Sequence, residues 1–304
     1  MTAENLLVND SGGSEDLEHA AMIFAEVRPR LFGIAYRMLG SSTEAEDLVQ
    51  DVWVRWQTCD RSTVTNPAAY LATATTRLAI NASQSARVRR ETYVGPWLPE
   101  PIDTSADPLL GAERGEALGF AVLLLLERLS PNERAAYVLR EAFDYPYRQI
   151  ADILQSTEAA VRQLVSRARK HVASERRAPV TGGAEQRRLL KAFVTAARSG
   201  DLAMLEELFA ADVVSYSDGG GVVTAARFPL TGATRVARFV TAVSRWFWVG
   251  VEIDWAQQNG QAAAVLSRDG IVFAVITVNA SAPGIDQVMW MMNPAKFTAV
   301  SAAG

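Results

Sequence analysis

Cysteine and histidine, which build disulfides and most transition-metal sites, are nearly missing from this sequence. Its 304 residues include a single cysteine, Cys59, and two histidines, His19 and His171. One cysteine excludes an internal disulfide framework and suits a reducing compartment. One cysteine and two histidines also provide no Cys/His constellation for a metal. We therefore expect neither a metal nor another cofactor.

Long apolar runs are missing as well. The apolar run at residues 121–126 is far shorter than the roughly 18 uncharged residues that a membrane-spanning helix requires. The N-terminus carries acidic residues where a signal peptide requires basic ones, so no targeting segment is predicted. These features predict a cytoplasmic protein without a membrane partner, and the length predicts two or three domains.

Basic charge is scarce except in two short islands. Residues 1–60 carry 4 basic and 11 acidic side chains, and residues 101–145 carry 4 and 8. In contrast, residues 61–100 carry 5 basic and 2 acidic side chains, and residues 146–177 carry 7 and 3. An acidic chain does not suit general coating of DNA, but two basic islands suit two local DNA contacts. The alternative for either island is an ordinary solvated helix face.

The N-terminal segment is predicted to be helical after a polar, disordered tail at residues 1–18. Gly40 ends the first helix, and Ser41 and Glu44 have the S-x-x-E spacing of a capping box that opens the second. The second helix directs an apolar stripe inward, formed by Leu48, Val49, Val52 and Trp56. Its remaining face carries Glu44, Asp47, Gln50 and Asp51. This first domain is predicted to span residues 19–92.

A long helix is predicted from Pro67 to about Val88, because proline suits the first helical turn. Residues 93–111 then form a linker that begins with YVGPWLPEP. Flexible linkers are polar, whereas this one combines three prolines with Tyr93, Trp97 and Leu98. Its composition predicts a stiff segment that docks on a folded surface.

Residues 112–178 have the pattern of a helical domain that ends in a helix-turn-helix. A helix is predicted over 112–129, and the S-P-N-E sequence at 130–133 opens another with a second capping box. The segments PYRQIADIL and EAAVRQLVSRARKHV are then joined by a tight turn at 155–157. The last helix has one apolar stripe and one basic face. A solvated amphipathic helix has the same pattern, so this motif alone leaves both interpretations open.

A third domain is predicted at residues 184–304, after a boundary near 176–183. Two helices precede several strand-like runs, and one more helix interrupts them at about 233–247. The Asn-Gly pair at 259–260 and the Asp-Gly pair at 269–270 are typical of two-residue hairpin turns. The pattern predicts an α+β domain with a curved, largely antiparallel sheet.

Together these segments resemble a known family. The first 177 residues resemble an RNA polymerase sigma factor of the extracytoplasmic-function type: SSTEAEDLVQDVWVRW is similar to its polymerase-clamp helix in region 2, and residues 129–170 are similar to its region 4. The last 120 residues resemble a SnoaL-like domain of the nuclear-transport-factor-two-like superfamily. One sigma-factor group joins all three and carries a WLPEP linker, an Asp-Gly-Gly-Gly stretch and an Asn-Pro-Asp-Lys-Leu/Phe end, which correspond here to residues 97–101, 218–221 and 293–297. The implied fold class is multidomain, with two all-α sigma domains and a C-terminal α+β SnoaL-like cone.

The resemblance implies that the chain binds core RNA polymerase and promoter DNA and directs transcription initiation. The acidic helix would bind polymerase through Glu44, Asp47, Gln50 and Asp51. The −10 element would be read by Asn66, Arg77, Asn81, Gln84 and Arg87. The last helix of the helix-turn-helix would enter the major groove at −35 with Thr157, Glu158, Arg162, Gln163, Ser166, Arg167 and Lys170. Glu158 and Arg162 can instead pair with each other, since they are four residues apart on one helix face.

The linker motif implies a regulatory contact with the third domain. We predict that Trp97, Leu98 and Glu100 dock against a surface formed by Asp218, Gly219, Gly220, Gly221, Asn293 and Lys296. Glycines allow a close backbone approach there, and Lys296 is the predicted partner of Glu100. In the alternative interpretation, Trp97 packs only on region 2, on region 4 or on polymerase.

Three residues depart from the family pattern. Ala295 replaces the usual acid, and Val222 follows the glycines where a basic residue is expected. Gln155 occupies the usual glycine position of the helix-turn-helix turn, where a left-handed conformation costs a non-glycine residue about 1–2 kcal/mol.

The third domain has three possible roles. SnoaL-like relatives include enzymes that use a pocket acid or histidine as a base; no histidine follows residue 182, and the candidate bases are Asp212, Asp218, Asp254 and Asp286. Candidates for lining a small-molecule cavity, or for filling the core, are Trp246, Trp248, Phe273, Trp290 and Met292. We predict a regulatory domain without catalysis. The alternatives for the whole chain are a ligand-responsive helix-turn-helix regulator and a SnoaL-like enzyme tethered to DNA-binding domains.

Overall fold

The computed structural model describes residues 8–104, 120–175 and 182–297. Its first two ranges form a helical body, with helices α1 Val8–Leu39, α2 Ser42–Thr58, α3 Pro67–Glu91, α4 Phe120–Leu126, α5 Pro131–Tyr137, α6 Tyr147–Leu154 and α7 Glu158–Glu175. A π-helical turn, Val138–Ala142, follows α5. Within these described ranges, no helix is long and apolar enough to cross a membrane. The predicted helix at 112–129 is seen only as α4, because residues 112–119 lie outside the described ranges.

The predicted disordered tail is wrong from residue 8 onward, since α1 begins at Val8; residues 1–7 lie outside the described ranges. Contacts of α1 with residues 56 and 61 hold the helix in place. The Trp56 Nε1–H donates to the Ala20 carbonyl at 3.0 Å, and Asp16 pairs with Arg61. Once a turn is fixed by such contacts, each added residue gains a helical hydrogen bond at little further cost, so the helix extends toward its N-terminus.

One hydrophobic core runs through the predicted regions 2 and 4. Ile34 of α1 and Leu71 of α3 belong to the same cluster as Leu139, Ile150 and Val161, and all five side chains are fully buried. The amphipathic stripes of the two regions therefore cover each other, and the two sigma-like regions are packed together.

The helix-turn-helix forms as predicted from α6 and α7. Gln155 ends α6 in the left-handed conformation, with φ +50°, at the position where glycine is usual. The second predicted capping box also forms, because Ser130 and Glu133 exchange side-chain and backbone hydrogen bonds at the start of α5.

The third domain contains α8 Gly183–Ser199, α9 Leu202–Leu208 and α10 Ala233–Phe247, together with strands β1 Phe209–Asp218, β2 Leu230–Thr231, β3 Glu252–Gln258, β4 Gln261–Arg268, β5 Ile271–Ser281 and β6 Gly284–Met291. The sheet order is β2-β1-β6-β5-β4-β3. Only the β1–β6 pair is parallel among these described strands, and the other pairs are antiparallel. Both predicted hairpin turns form, with φ between +53° and +75° at residues 259–260 and 269–270.

Both faces of this sheet are buried. Along β4, Ala264 and Leu266 contact the cluster formed with the helices α8, α9 and α10. Ala263 and Val265 point to the opposite face, as alternation along a strand requires. That second face needs a cover, and residues outside the third domain provide it.

Candidate functional site: the linker seat and the basic helices

The linker covers the second face of the sheet. Leu98 is 0% exposed and packs with Val275, Met291 and Phe297 of the third domain. Phe120, the first residue of α4, joins the same apolar cluster. Full burial of a leucine side chain contributes roughly 1.5–3 kcal/mol. The linker thus docks on a folded surface, as its composition predicted, and that surface is the third domain.

Asp218 lies at the centre of this contact and is completely buried. Its Oδ1 accepts hydrogen bonds from the Tyr93 hydroxyl at 2.5 Å and from the Gly220 amide at 3.1 Å. Its Oδ2 accepts from the Leu98 amide at 2.8 Å and from Lys296 Nζ at 2.7 Å. Two of these four donors belong to the linker, so the linker and the third domain together satisfy the hydrogen-bonding positions of the carboxylate.

Lys296 completes the buried pair and is 5% exposed. Its Nζ also donates to the Leu98 carbonyl, and it lies 4.3 Å from the centre of the Trp97 ring. Burial lowers the pKa of Lys296, and the charge of Asp218 acts in the opposite direction. The pKa of Tyr93 is raised, mainly by burial and secondly by its hydrogen bond to Asp218. We call Tyr93, Leu98, Asp218 and Lys296 the linker seat.

The predicted need for glycines is met at two positions of the 219–221 turn. Gly220 and Gly221 have φ +62° and +74°. A Cβ on Gly220 would collide with the Asn293 side chain, and one on Gly221 would lie 3.1 Å from Val94. Asn293 in turn donates to the Tyr93 hydroxyl at 2.8 Å. The turn therefore brings the third domain close enough to touch the start of the linker.

The predicted ion pair between Glu100 and Lys296 is wrong. The Glu100 carboxylate caps the start of α2 instead, accepting hydrogen bonds from the Ser41 and Ser42 hydroxyls and from the Ser42 amide, all at 2.7 Å, and from the Thr43 amide at 3.2 Å. Unpaired N–H groups and the helix dipole attract a carboxylate to this position. Only half of the first predicted capping box therefore forms: Ser41 accepts from the Glu44 amide, while the Glu44 side chain pairs with Arg89.

The end of the linker pairs with the β3–β4 hairpin, which the sequence did not indicate. The Asn259 side chain accepts from the Ile102 amide at 2.9 Å and donates to the Tyr36 hydroxyl of α1. That hydroxyl donates to the Glu100 carbonyl at 2.7 Å, and burial raises the pKa of Tyr36. Asn259 was identified only as a turn residue, and no local motif signals its second role.

Trp97 contacts two domains at once, so both sequence interpretations describe part of its surroundings. Its ring contacts both Lys296 and Arg90 of α3, whose guanidinium is 3.5 Å from the ring centre. A Cβ on Gly40 would lie 2.6 Å from the Trp97 ring, so only glycine fits at the end of α1. The tryptophan therefore links region 2 to the third domain.

A buried charge cluster, also missed from the sequence, joins the predicted regions 2 and 4. Glu127 pairs with both Arg90 and Arg134, and the Arg134 Nε–H donates to the Arg37 carbonyl of α1 at 2.8 Å. Burial lowers the pKa of both Arg90 and Arg134. Periodicity places Arg134 on a helix but gives no sign that its guanidinium is buried.

The predicted polymerase-binding residues lie along one side of α2. Asp47, Gln50 and Asp51 are exposed, whereas Glu44 is partly buried in its pair with Arg89. Asp47 and Asp51 have no ion-pair partner among the described residues. The structure thus leaves three of the four side chains available to a partner protein.

The predicted −10 residues divide into two groups. Asn81, Gln84 and Arg87 are exposed along α3. Asn66 caps α3 by accepting from the Ala69 amide at 3.0 Å. Arg77 donates to the Ile153 and Asp152 carbonyls at the end of α6, at 2.9 and 3.2 Å. In this conformation Arg77 is therefore bound to the helix-turn-helix.

The predicted −35 residues share the exposed side of α7. Thr157 accepts from the Ala160 amide in the first turn. The alternative pairing of Glu158 with Arg162 is present at 3.1 Å, and the Arg162 guanidinium also lies 4.5 Å from the Tyr147 ring centre. Arg167 pairs with Glu133 at 2.8 Å. The remaining predicted residues are exposed, namely Gln163, Ser166 and Lys170.

A separate cavity of about 530 Å³ lies in the third domain, beside α10. Of the five candidates for cavity lining or core filling, Trp246, Phe273, Trp290 and Met292 line this cavity, while Trp248 is buried in the helix-side core. The described residues that line the cavity include no Asp, Glu or His. All four candidate bases are thus absent from its described wall.

Comparisons with known proteins define the class of this chain. Residues 23–89 match the family "Sigma-70 region 2", and residues 119–172 match "Sigma-70, region 4". These two parts are those of a factor that directs RNA polymerase to promoters.

Similar proteins then give the particular family. The chain is 36% identical over 233 residues to "ECF RNA polymerase sigma factor SigJ" of Mycobacterium tuberculosis, covering 75% of this chain and 74% of that protein. It is 30% identical over 271 residues to "Probable ECF RNA polymerase sigma factor SigI" of the same species, covering 88% and 91%. The crystal structure of M. tuberculosis SigJ aligns with a TM-score of 0.73 and 30% identity, over 91% of this chain and 97% of that chain. The chain belongs to the ECF RNA polymerase sigma factor family. It is an alternative sigma factor for transcription initiation, and its predicted fold class is confirmed.

Replacing Asp218 with Asn should loosen the linker seat. Asn keeps the shape but removes the charge that compensates buried Lys296, and breaking a buried pair in this way costs about 3–5 kcal/mol. We expect a lower urea midpoint and faster hydrogen exchange at residues 93–104. Asp269→Asn is the matched control, because Asn tolerates the left-handed turn that Asp269 occupies. Equal linker protection in the two variants would contradict the assignment.

Proposed function

We propose that the third domain of this sigma factor is a built-in regulator that holds the two promoter-reading regions in a closed arrangement. The observation that carries the proposal is the linker seat, where main-chain and side-chain groups of the linker complete a buried ion pair of the third domain. The same linker caps α2 through Glu100 and packs Trp97 on Arg90. A change in the third domain therefore has a direct physical route to region 2.

The contact between α3 and α6 supports the view that this arrangement is closed. The −10 and −35 elements are about 25 base pairs apart, roughly 85 Å at about 3.4 Å per base pair. Here Arg77, a predicted −10 residue, is hydrogen-bonded to the end of α6 in the helix-turn-helix. Regions 2 and 4 cannot reach two such distant elements while they touch each other, so promoter binding requires them to separate.

In the proposed open state, the exposed acids of α2 bind core polymerase, α3 reads the −10 element and α7 enters the major groove at −35. Charge complementarity supports this division, because acidic residues dominate the first 60 positions and basic ones dominate 146–177. We place the protein in the cytoplasm, where polymerase and promoter DNA are found.

The third-domain cavity favours binding over catalysis. A general base must lie within hydrogen-bond reach of the proton that it removes, and the described lining contains no carboxylate or imidazole. A small-molecule ligand therefore fits this domain better than a substrate that is turned over. ECF sigma factors are not an enzyme family, and we propose that the whole chain lacks enzymatic activity.

Reversing the charge of Asp47 and Asp51 to Lys should weaken binding to core polymerase at least tenfold, which is about 1.4 kcal/mol. Both side chains are exposed and unpaired among the described residues, so the fold should persist. The matched control reverses Glu206 and Glu207 on α9 to Lys, which gives the same change of net charge elsewhere. Anisotropy titration of labelled protein with core enzyme measures the effect, and equal affinity of the two variants would exclude this face as the interface.

Two changes on α7 should have different signatures. Arg162→Ala should relax base preference at −35 by about 1–3 kcal/mol, whereas Lys170→Ala should weaken binding to all sequences and lower the salt slope by about 1. The measurement is holoenzyme binding to a panel of −35 variants at several salt concentrations. Glu158→Gln tests the intrahelical pair separately, because it frees Arg162 from that pair without removing it. Identical profiles for the two alanine variants would contradict the assigned roles.

Trp97→Ala should shift the full-length protein toward the open state. The change removes two cation–π contacts of about 0.5–1 kcal/mol each, so hydrogen exchange at 93–104 should accelerate and run-off transcription should rise several-fold. Trp255→Ala, which removes an exposed tryptophan of the third domain instead, should change neither. Faster linker exchange without any change in transcription would show that the closed contact is structural and not regulatory.

A further inference from the structure

The cavity beside α10 shares a wall with the linker contact. Residues 223–226 line the cavity. The same residues, with Gly219 and Gly221, also line a smaller hollow of about 240 Å³, which Val94 and Gly95 of the linker line as well. The position of a Gly95 Cβ would lie 4.0 Å from the Ala226 carbonyl oxygen. One short loop therefore touches the cavity on one side and the linker on the other.

The chemistry of the cavity specifies what it would hold. At about 530 Å³ it has the size of a site for a drug-sized molecule. Its described wall is mainly aromatic and aliphatic, and the only full charge there is that of Arg268.

Arg268 is fixed in place by the protein itself. Its Nε–H donates to the Val249 carbonyl and its Nη2 to the Phe247 carbonyl, at 3.1 and 3.0 Å, and its guanidinium lies 4.7 Å from the Phe273 ring centre. A cation held in this way at an apolar wall favours an anionic over a cationic ligand.

We infer that this cavity binds an apolar aromatic molecule with one anionic group, and that the occupant changes how firmly the 223–226 loop holds the linker. The coupling to the linker rests on the proposed regulatory function, whereas the binding site does not. Exposed Trp246 and Val249 lie at the mouth of the cavity, so substitutions there test entry without disturbing the core.

The probe is 1-anilinonaphthalene-8-sulfonate, an apolar aromatic anion whose fluorescence reports binding, titrated into the full-length protein. We expect one site, an affinity at least tenfold weaker in Trp246→Ala, and no change in Trp255→Ala. Val249→Asp places a negative charge at the mouth and should weaken the sulfonate at least tenfold, while Val249→Asn should not. The neutral analogue N-phenyl-1-naphthylamine should bind Val249→Asp and Val249→Asn equally. Circular dichroism checks that each variant is folded.

The outcomes test the ligand site and its coupling to the linker separately. Failure of the probe to bind, or equal binding to Trp246→Ala and the parent, would overturn the ligand site. If the probe binds as expected, hydrogen exchange at residues 93–104 should change at least threefold on saturation. Unchanged exchange would overturn the coupling, while the regulatory function would still be judged by the transcription of Trp97→Ala.

Discussion

The buried ion pair of Asp218 and Lys296 is the interaction on which the arrangement of the domains depends. Burying two charges costs several kcal/mol unless their remaining hydrogen-bonding positions are filled. The third domain alone does not fill them, and the linker contributes the Tyr93 hydroxyl and both main-chain polar groups of Leu98. Water can take over these same positions when the linker leaves. A polar seat of this kind fixes the position of the linker through directed hydrogen bonds. It also lowers the cost of opening, because water can replace those bonds, whereas a purely apolar seat would expose its surface to water.

The apolar contacts of the linker determine which face of the sheet it covers. The sheet has two buried faces, and Leu98 with Phe120 covers the one that the domain's own helices do not reach. Two residues further on, Glu100 caps α2, the helix with the exposed acids. A stiff, proline-rich segment therefore connects the sheet to the predicted polymerase-binding helix. Prolines reduce the entropy that the linker loses on docking, so a short contact suffices to hold the position.

Local signals made much of this fold predictable. Helix caps, hairpin dipeptides and hydrophobic periodicity depend on neighbouring residues, and the helix-turn-helix, both hairpin turns and α10 follow them closely. The docking of the linker motif near residues 218–221 and 293–296 was also predicted from the family resemblance. The partner of Glu100 was not, because the free N–H groups of α2 competed with Lys296 for the carboxylate. The shared core of regions 2 and 4 was not predictable either, since an amphipathic stripe does not specify which surface covers it.

The same contacts determine what opening would require. Separating region 2 from region 4 breaks the bonds of Arg77, exposes part of a continuous apolar core, and releases Arg90 from Glu127 and Arg134 from the Arg37 carbonyl. Each of these changes costs free energy. The closed contact also benefits from a high effective concentration, because it is intramolecular. In the proposed open state, core polymerase and promoter DNA would supply new contacts to the separated regions. Under the proposed regulation the closed form is therefore stable alone, and the bound partners together would offset the cost of opening it.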